Sequence, residues 1–176
     1  AWNHHLPEGA CTVVPFHELS GPTDLGSTVG VTLVVDEAVL HDGARMAFTL
    51  ADEQNPQALV FSADHEILDS DGRPVAAHLK PGWNRDLALG SAYPGPVLAI
   101  RNRHLAGVLE DGPPSSFHDL LLRATAGLEA DRIVHLPTVL SSTALPRPVS
   151  DPMAVVRATG LAREAVAVDE RSGACR

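Results

Sequence analysis

A continuous, largely β-branched run at residues 29–35 is the clearest strand signal in the chain. An apolar run without alternation is what a strand covered on both faces needs, as in a parallel sheet. Asp36 ends it. Val39, Leu40, Ala44, Ala47, Phe48 and Ala51 then recur at helical spacing, which predicts a helix over residues 38–51, stopped by Asn55-Pro56. A second apolar strand is predicted over 58–62, followed by an acidic turn and the turn signal Asp69-Ser70-Asp71-Gly72. Residues 73–96 are rich in proline and glycine and read as a long ordered loop. Further strands are predicted over 97–100 and 133–136, and an amphipathic helix over 116–128, capped by Ser115 or Ser116. Residues 1–9 read as irregular, 10–14 as a short strand and 15–30 as loop. A proline-rich boundary at 145–152 leads into a short helix over 153–160 and a short strand over 165–168. Alternating strands and helices predict an α/β domain, its sheet mainly parallel and flanked by helices.

Composition narrows the partners. The 176 residues suit one domain with an appendage, and 44% hydrophobic content is enough for a core. A formal net charge of −9 argues against nucleic acid or an anionic membrane surface, both of which need a basic face. No run approaches the roughly 20 apolar residues of a membrane span, and no signal peptide is recognisable, so a cytoplasmic protein is expected. Cys11 and Cys175 are too few and too far apart in sequence for a disulfide framework or a zinc site. Of the 13 lysines and arginines only Lys80 is a lysine.

Parallel sheets place ligands at the C-terminal ends of their strands. Two predicted strand ends are acidic, Asp36-Glu37 and Asp64-His65-Glu66. Carboxylates there could share a divalent cation that carries a diphosphate. The same residues equally suit helix caps and turns in water. His135, at the end of its strand, is either a ligand or a histidine of the core or rim. The nine histidines show no i, i+4 pair or other metal spacing. No Gly-rich phosphate loop follows a strand, and no nucleophile elbow accompanies the serines.

The order of segments resembles a known family. Val35-Asp36-Glu37-Ala38-Val39 sits where family-2 glycosyltransferases of the rhamnosyltransferase-like group have a first acidic motif. Ala63-Asp64-His65-Glu66 resembles the second, and Asp69-Ser70-Asp71-Gly72-Arg73 follows at the family's distance. Leu79-Lys80-Pro81-Gly82-Trp83-Asn84-Arg85-Asp86-Leu87, then Tyr93-Pro94-Gly95, is the most specific match. Ser115-Ser116-Phe117-His118-Asp119-Leu120 resembles the motif that carries the catalytic base, and His135-Leu136-Pro137-Thr138-Val139-Leu140 the last strand. The resemblance covers about residues 15–145. It implies a partial GT-A sheet over 1–150 that lacks the first nucleotide-binding part, with 151–176 as a helix-strand tail similar to an inter-module linker. It implies Lys80, Trp83 and Asp86 as substrate-binding candidates, although the segment 80–87 better suits a structural role in which Trp83 packs apolar area, Lys80 pairs a local acid and Pro81 fixes the loop. It also implies Asp36, Asp64 and Glu66 as candidate ligands of Mn²⁺ or Mg²⁺ if the chain is active.

Departures from the family pattern set the functional expectation. Ala38 and Val39 replace acids of the first motif, and Phe117, which cannot accept a proton, stands where the base belongs. Ser141-Ser142-Thr143 replaces the end of the last motif. The expectation is a glycosyltransferase-like, non-catalytic scaffold or interaction module without a cofactor. The alternatives are part of an active, metal-assisted inverting glycosyltransferase completed by a missing half, or a carbohydrate-binding module. With the family's first strands absent, the run at 29–35 is expected at a sheet edge. Residues 10–14 would cover it as a substitute strand, or a second copy or neighbouring module would. The short length of 10–14 favours a homodimer.

Overall fold

The computed structural model describes residues 10–25, 29–144, 150–160, 166, 167 and 174. The expected irregular stretch 1–9, most of the boundary at 145–152, both ends of the expected strand 165–168, and Cys175 lie outside these. In chain order the strands are β1 (Cys11–Pro15), β2 (Val31–Val35), β3 (Ala38–Leu40), β4 (Val60–Leu68), β5 (Pro74–His78), β6 (Val97–Arg101) and β7 (Ile133–Ala144). The helices are α1 (Ala44–Gln54), α2 (Arg85–Gly90), α3 (Asn102–Leu109), α4 (Phe117–Thr125) and α5 (Pro152–Thr159).

All seven strands join one sheet in the order β1-β2-β6-β4-β7-β3, with β5 pairing β4. Only β1–β2 and β4–β7 are parallel; β2–β6, β4–β6, β3–β7 and β4–β5 are antiparallel. The sheet is therefore mixed, which corrects the expected mainly parallel, partial GT-A sheet. The apolar run of β2 misled because a run buried on both faces reports cover, not the direction of its neighbours. β2 has a parallel neighbour on one side and an antiparallel one on the other.

Period-2 alternation sorts side chains between two cores. Val34, Val60, Leu98 and Ile100 pack against Leu105 and Leu109 of α3 and Phe117, Leu120 and Leu121 of α4. Val31, Leu33, Phe61, Val97 and Ala99 pack against Ala44, Phe48 and Ala51 of α1. Each fully buried phenylalanine here, Phe48 and Phe61, contributes about 1.5–3 kcal/mol through burial. Residues 38–40, expected to open the first helix, instead pair with β7, and α1 begins only at Ala44, after Gly43 in the left-handed region (φ 84°). The expected loop 73–96 contains β5 and α2. The short strand at residues 10–14 does form, as β1, so β2 lies inside the sheet rather than at its edge.

The longest departure concerns β4 and β7, which run on far beyond the expected 58–62 and 133–136. Their pairing slips on both sides of Asp64: Ala63 faces Leu136, Asp64 faces Val139 and His65 faces Ser141. Pro137 falls in the slip. A proline has no N–H to give the ladder, so it sits at irregularities of paired strands. Such a bulge re-aims the side chains beside it.

Candidate functional site

Asp64 is the residue at that bulge, and it is buried, 4% exposed. Its Oδ1 accepts the backbone N–H of Lys80 at 2.9 Å. His135 Nε2 lies 3.1 Å from the same oxygen, and His135 Nδ1 lies 3.2 Å from Ser62 Oγ. These separations resemble a serine–histidine–aspartate relay. The chemistry does not follow, because Ser62 is only 6% exposed and a nucleophile must reach its substrate. His135 Nε2 also has no aligned hydrogen-bond partner, so its closeness to Asp64 is a short approach and not a bond.

Lys80 closes this cluster from the other side. Its side chain is buried, and Nζ donates to the carbonyls of Ala63 and Pro94. Burial lowers its pKa from the usual lysine range to about 7, against the opposing pull of Asp64. His65, the next residue along β4, is lowered to about 3 by burial, with Lys80 and His78 adding to the effect. His78 shifts the same way, through burial and then Lys80.

The three candidate metal acids do not form one ligand set. Glu66 Oε1 accepts from Ser142 Oγ at 2.8 Å and lies 3.3 Å from His41 Nε2. Asp36 follows β2, which is separated from β4 by β6, hence by roughly 10 Å across the sheet. Asp64 already serves the Lys80 amide. Among the described residues no group of three or more His, Cys, Asp or Glu is placed to share an ion. These acids therefore do not fit a divalent metal carrying a diphosphate.

The loop of the most specific motif is held from within. The rings of Trp83 and Tyr93 stack with centroids 6.3 Å apart, and Tyr93 Oη binds the amide of Asn84 and the carbonyl of Gly82. The Asn84 side chain caps α2 by accepting from Leu87 N. Asp86 lies exposed in the first turn of α2. Lys80 and Trp83 thus face the protein, and Asp86 faces water.

Phe117 opens α4 and is 3% exposed. Its ring meets Phe16 edge-on at 5.8 Å and lies against Gly95, where an added Cβ would come within 2.8 Å of Phe117 Cε1. Gly95 is glycine because the Phe117 ring occupies that space. The residues beside it anchor α5. Ser116 Oγ caps α4 through Asp119 N and donates to Asp151 Oδ2 at 2.7 Å; Asp151 in turn caps α5 through Met153 N and Ala154 N. Asp119, its side chain 2% exposed, bridges Arg123 at 2.9 Å and Arg157 of α5 at 3.1 Å and accepts the Ser115 amide. Burial pushes its pKa up, but Ser115, Arg157 and Arg123 outweigh burial and hold it below the usual carboxylate range. His118 Nε2 donates to Ala88 O at 2.6 Å, and Nδ1 accepts Asp151 N at 2.8 Å, which fixes a neutral tautomer.

Comparison with known proteins adds little function. No protein-family profile matches the chain. The chain is 27% identical over 115 residues to the uncharacterized protein y4gI of Sinorhizobium fredii; the match covers 64% of this chain and 13% of that protein. The chain thus spans a small part of that relative's length. No helix among the described residues is long and apolar enough to cross a membrane.

Sequence reasoning did not find the burial of Lys80 or the pairing of His65 with His78. The missing signal was β5, whose proline, alanines and neighbouring glycines concealed a strand.

Proposed function

We propose that this chain is a glycosyltransferase-like module without transfer chemistry, acting as a scaffold or interaction module for a second copy or a neighbouring transferase module in the cytoplasm. The observation that carries this reading is Phe117. A phenylalanine stands where the resemblance puts the proton acceptor, and it fills that space against Gly95 and Phe16. The acids of the resembling motifs, Asp64 and Glu66, serve internal hydrogen bonds as well.

The test is calorimetric titration with a panel of nucleotide sugars in the presence of Mn²⁺. The expected outcome is no saturable binding, whereas manganese-dependent binding in the tens-of-micromolar range overturns the reading. Phe117→Asp provides a second arm. It is expected to lose about 3–5 kcal/mol of stability, from lost packing and a buried carboxylate, and to gain no transferase activity.

A further inference from the structure

His65 and His78 are Cα partners on the antiparallel pair β4–β5. Directly opposed side chains on such a pair lie on the same face, within reach of each other. The two rings meet at 4.8 Å between centroids and 75° between planes. Two imidazoles bound through nitrogen at about 2.0–2.1 Å to one tetrahedral ion have ring centres roughly 5 Å apart. The observed separation falls at that spacing, which puts both rings within reach of a single ion. A second observation is independent of that spacing. His65 is 7% exposed, and its Nδ1 is buried with no hydrogen-bond partner. A buried ring nitrogen without a partner is rare and calls for an acceptor, a donor or an ion.

Access is available from one side. Every residue of β5 is exposed, so the His78 ring is open to water while His65 forms the floor. The Lys80 ammonium, held on the carbonyls of Ala63 and Pro94, opposes positive charge at both rings, and the Asp64 carboxylate works against it. Imidazole is a borderline ligand that suits zinc, copper and nickel, not calcium or magnesium.

We propose that His65 and His78 form a two-histidine site for a borderline divalent transition-metal cation such as Zn²⁺, whose remaining coordination positions are taken by water. The site is separate from the diphosphate-carrying metal that the family resemblance implies. It stands whether or not the non-catalytic reading holds.

The test is titration of the EDTA-stripped chain with Zn²⁺ at neutral pH, read by calorimetry and thermal melting. One ion per chain is expected, with a rise in Tm of roughly 3–6 °C at ten times Kd. His78→Ala, at an exposed position on an edge strand, should keep the far-UV circular dichroism of the parent and lose both signals. His17→Ala, at an exposed histidine elsewhere, should keep both. Absence of saturable binding up to about 1 mM overturns the site. Binding undiminished in His78→Ala, or lost in His17→Ala, overturns it as well.

Discussion

Two buried polar clusters differ in how completely they are satisfied. At the junction of α4 and α5, Asp119 meets two guanidiniums and a backbone amide, and His118 uses both ring nitrogens. At the bulge of β4, His65 Nδ1 and His135 Nε2 lack aligned partners, and the Lys80 ammonium is buried with carbonyl partners, its pKa lowered to about 7. A fully satisfied buried network rigidifies, whereas a partly satisfied one stores cost that ligation or proton loss can relieve. The first cluster therefore reads as a lock that docks the tail helix. The second holds a buried lysine whose lowered pKa ties its stability to protonation.

The largest test of this contrast is Asp119→Ala. It strips the shared partner from Arg123 and Arg157 and is expected to cost about 2–4 kcal/mol, less than a fully buried pair because both arginines reach water. Chemical denaturation measures it. A loss under about 1 kcal/mol would break the idea of a lock.

Next comes the pH dependence that Lys80 imposes. Its folded pKa of about 7 lies below the unfolded value of 10.5, so above pH 7 the unfolded chain binds a proton that the folded chain does not. Stability should rise from pH 7 to about 9, with a slope of at most about 1.4 kcal/mol per pH unit from this residue. Below pH 7 both states hold the proton and the slope vanishes. Lys80→Met should flatten the rise, and an unchanged slope would remove Lys80 from the account.

On the acid side His118 contributes from the lock itself. Burial lowers its pKa, so its contribution is lost as pH falls below the unfolded value of 6.5. His65 acts in the same direction, down to about 3. His118→Gln should lessen the loss of stability between pH 6.5 and about 5, a window above the ordinary titration of carboxylates.

The smallest expected effect is that of Arg157→Ala, roughly 0.5–1 kcal/mol, since its side chain is 43% exposed and solvent screens the pair. A double-mutant cycle with Asp119→Ala should show coupling, and strict additivity would mean that the Asp119–Arg157 pair does not help hold α5.

Local signals located what they physically control. The β-branched run yielded β2, helical spacing with a serine cap yielded α4, and the proline-rich boundary at 145–152 led into α5. These depend on side chains a few residues apart. That Phe117 cannot accept a proton was legible from the residue alone, whereas its burial against Phe16 and Gly95 was not. Residues 38–40 show where the logic fails: Val39 and Leu40 fit a helical stripe, but pairing with Ser142 and Ser141 made them a strand.

What the sequence by itself determined is which segments are apolar enough to be covered and which side chains can carry a proton, a charge or a metal. The tertiary structure alone decided the direction of β6, the bulge at Pro137 that turns Asp64 inward, and the meeting of His65 with His78. Strand direction, register and burial come from contacts between residues far apart in the chain. A side chain's pKa and its unmet hydrogen bonds depend on whether those contacts exclude water.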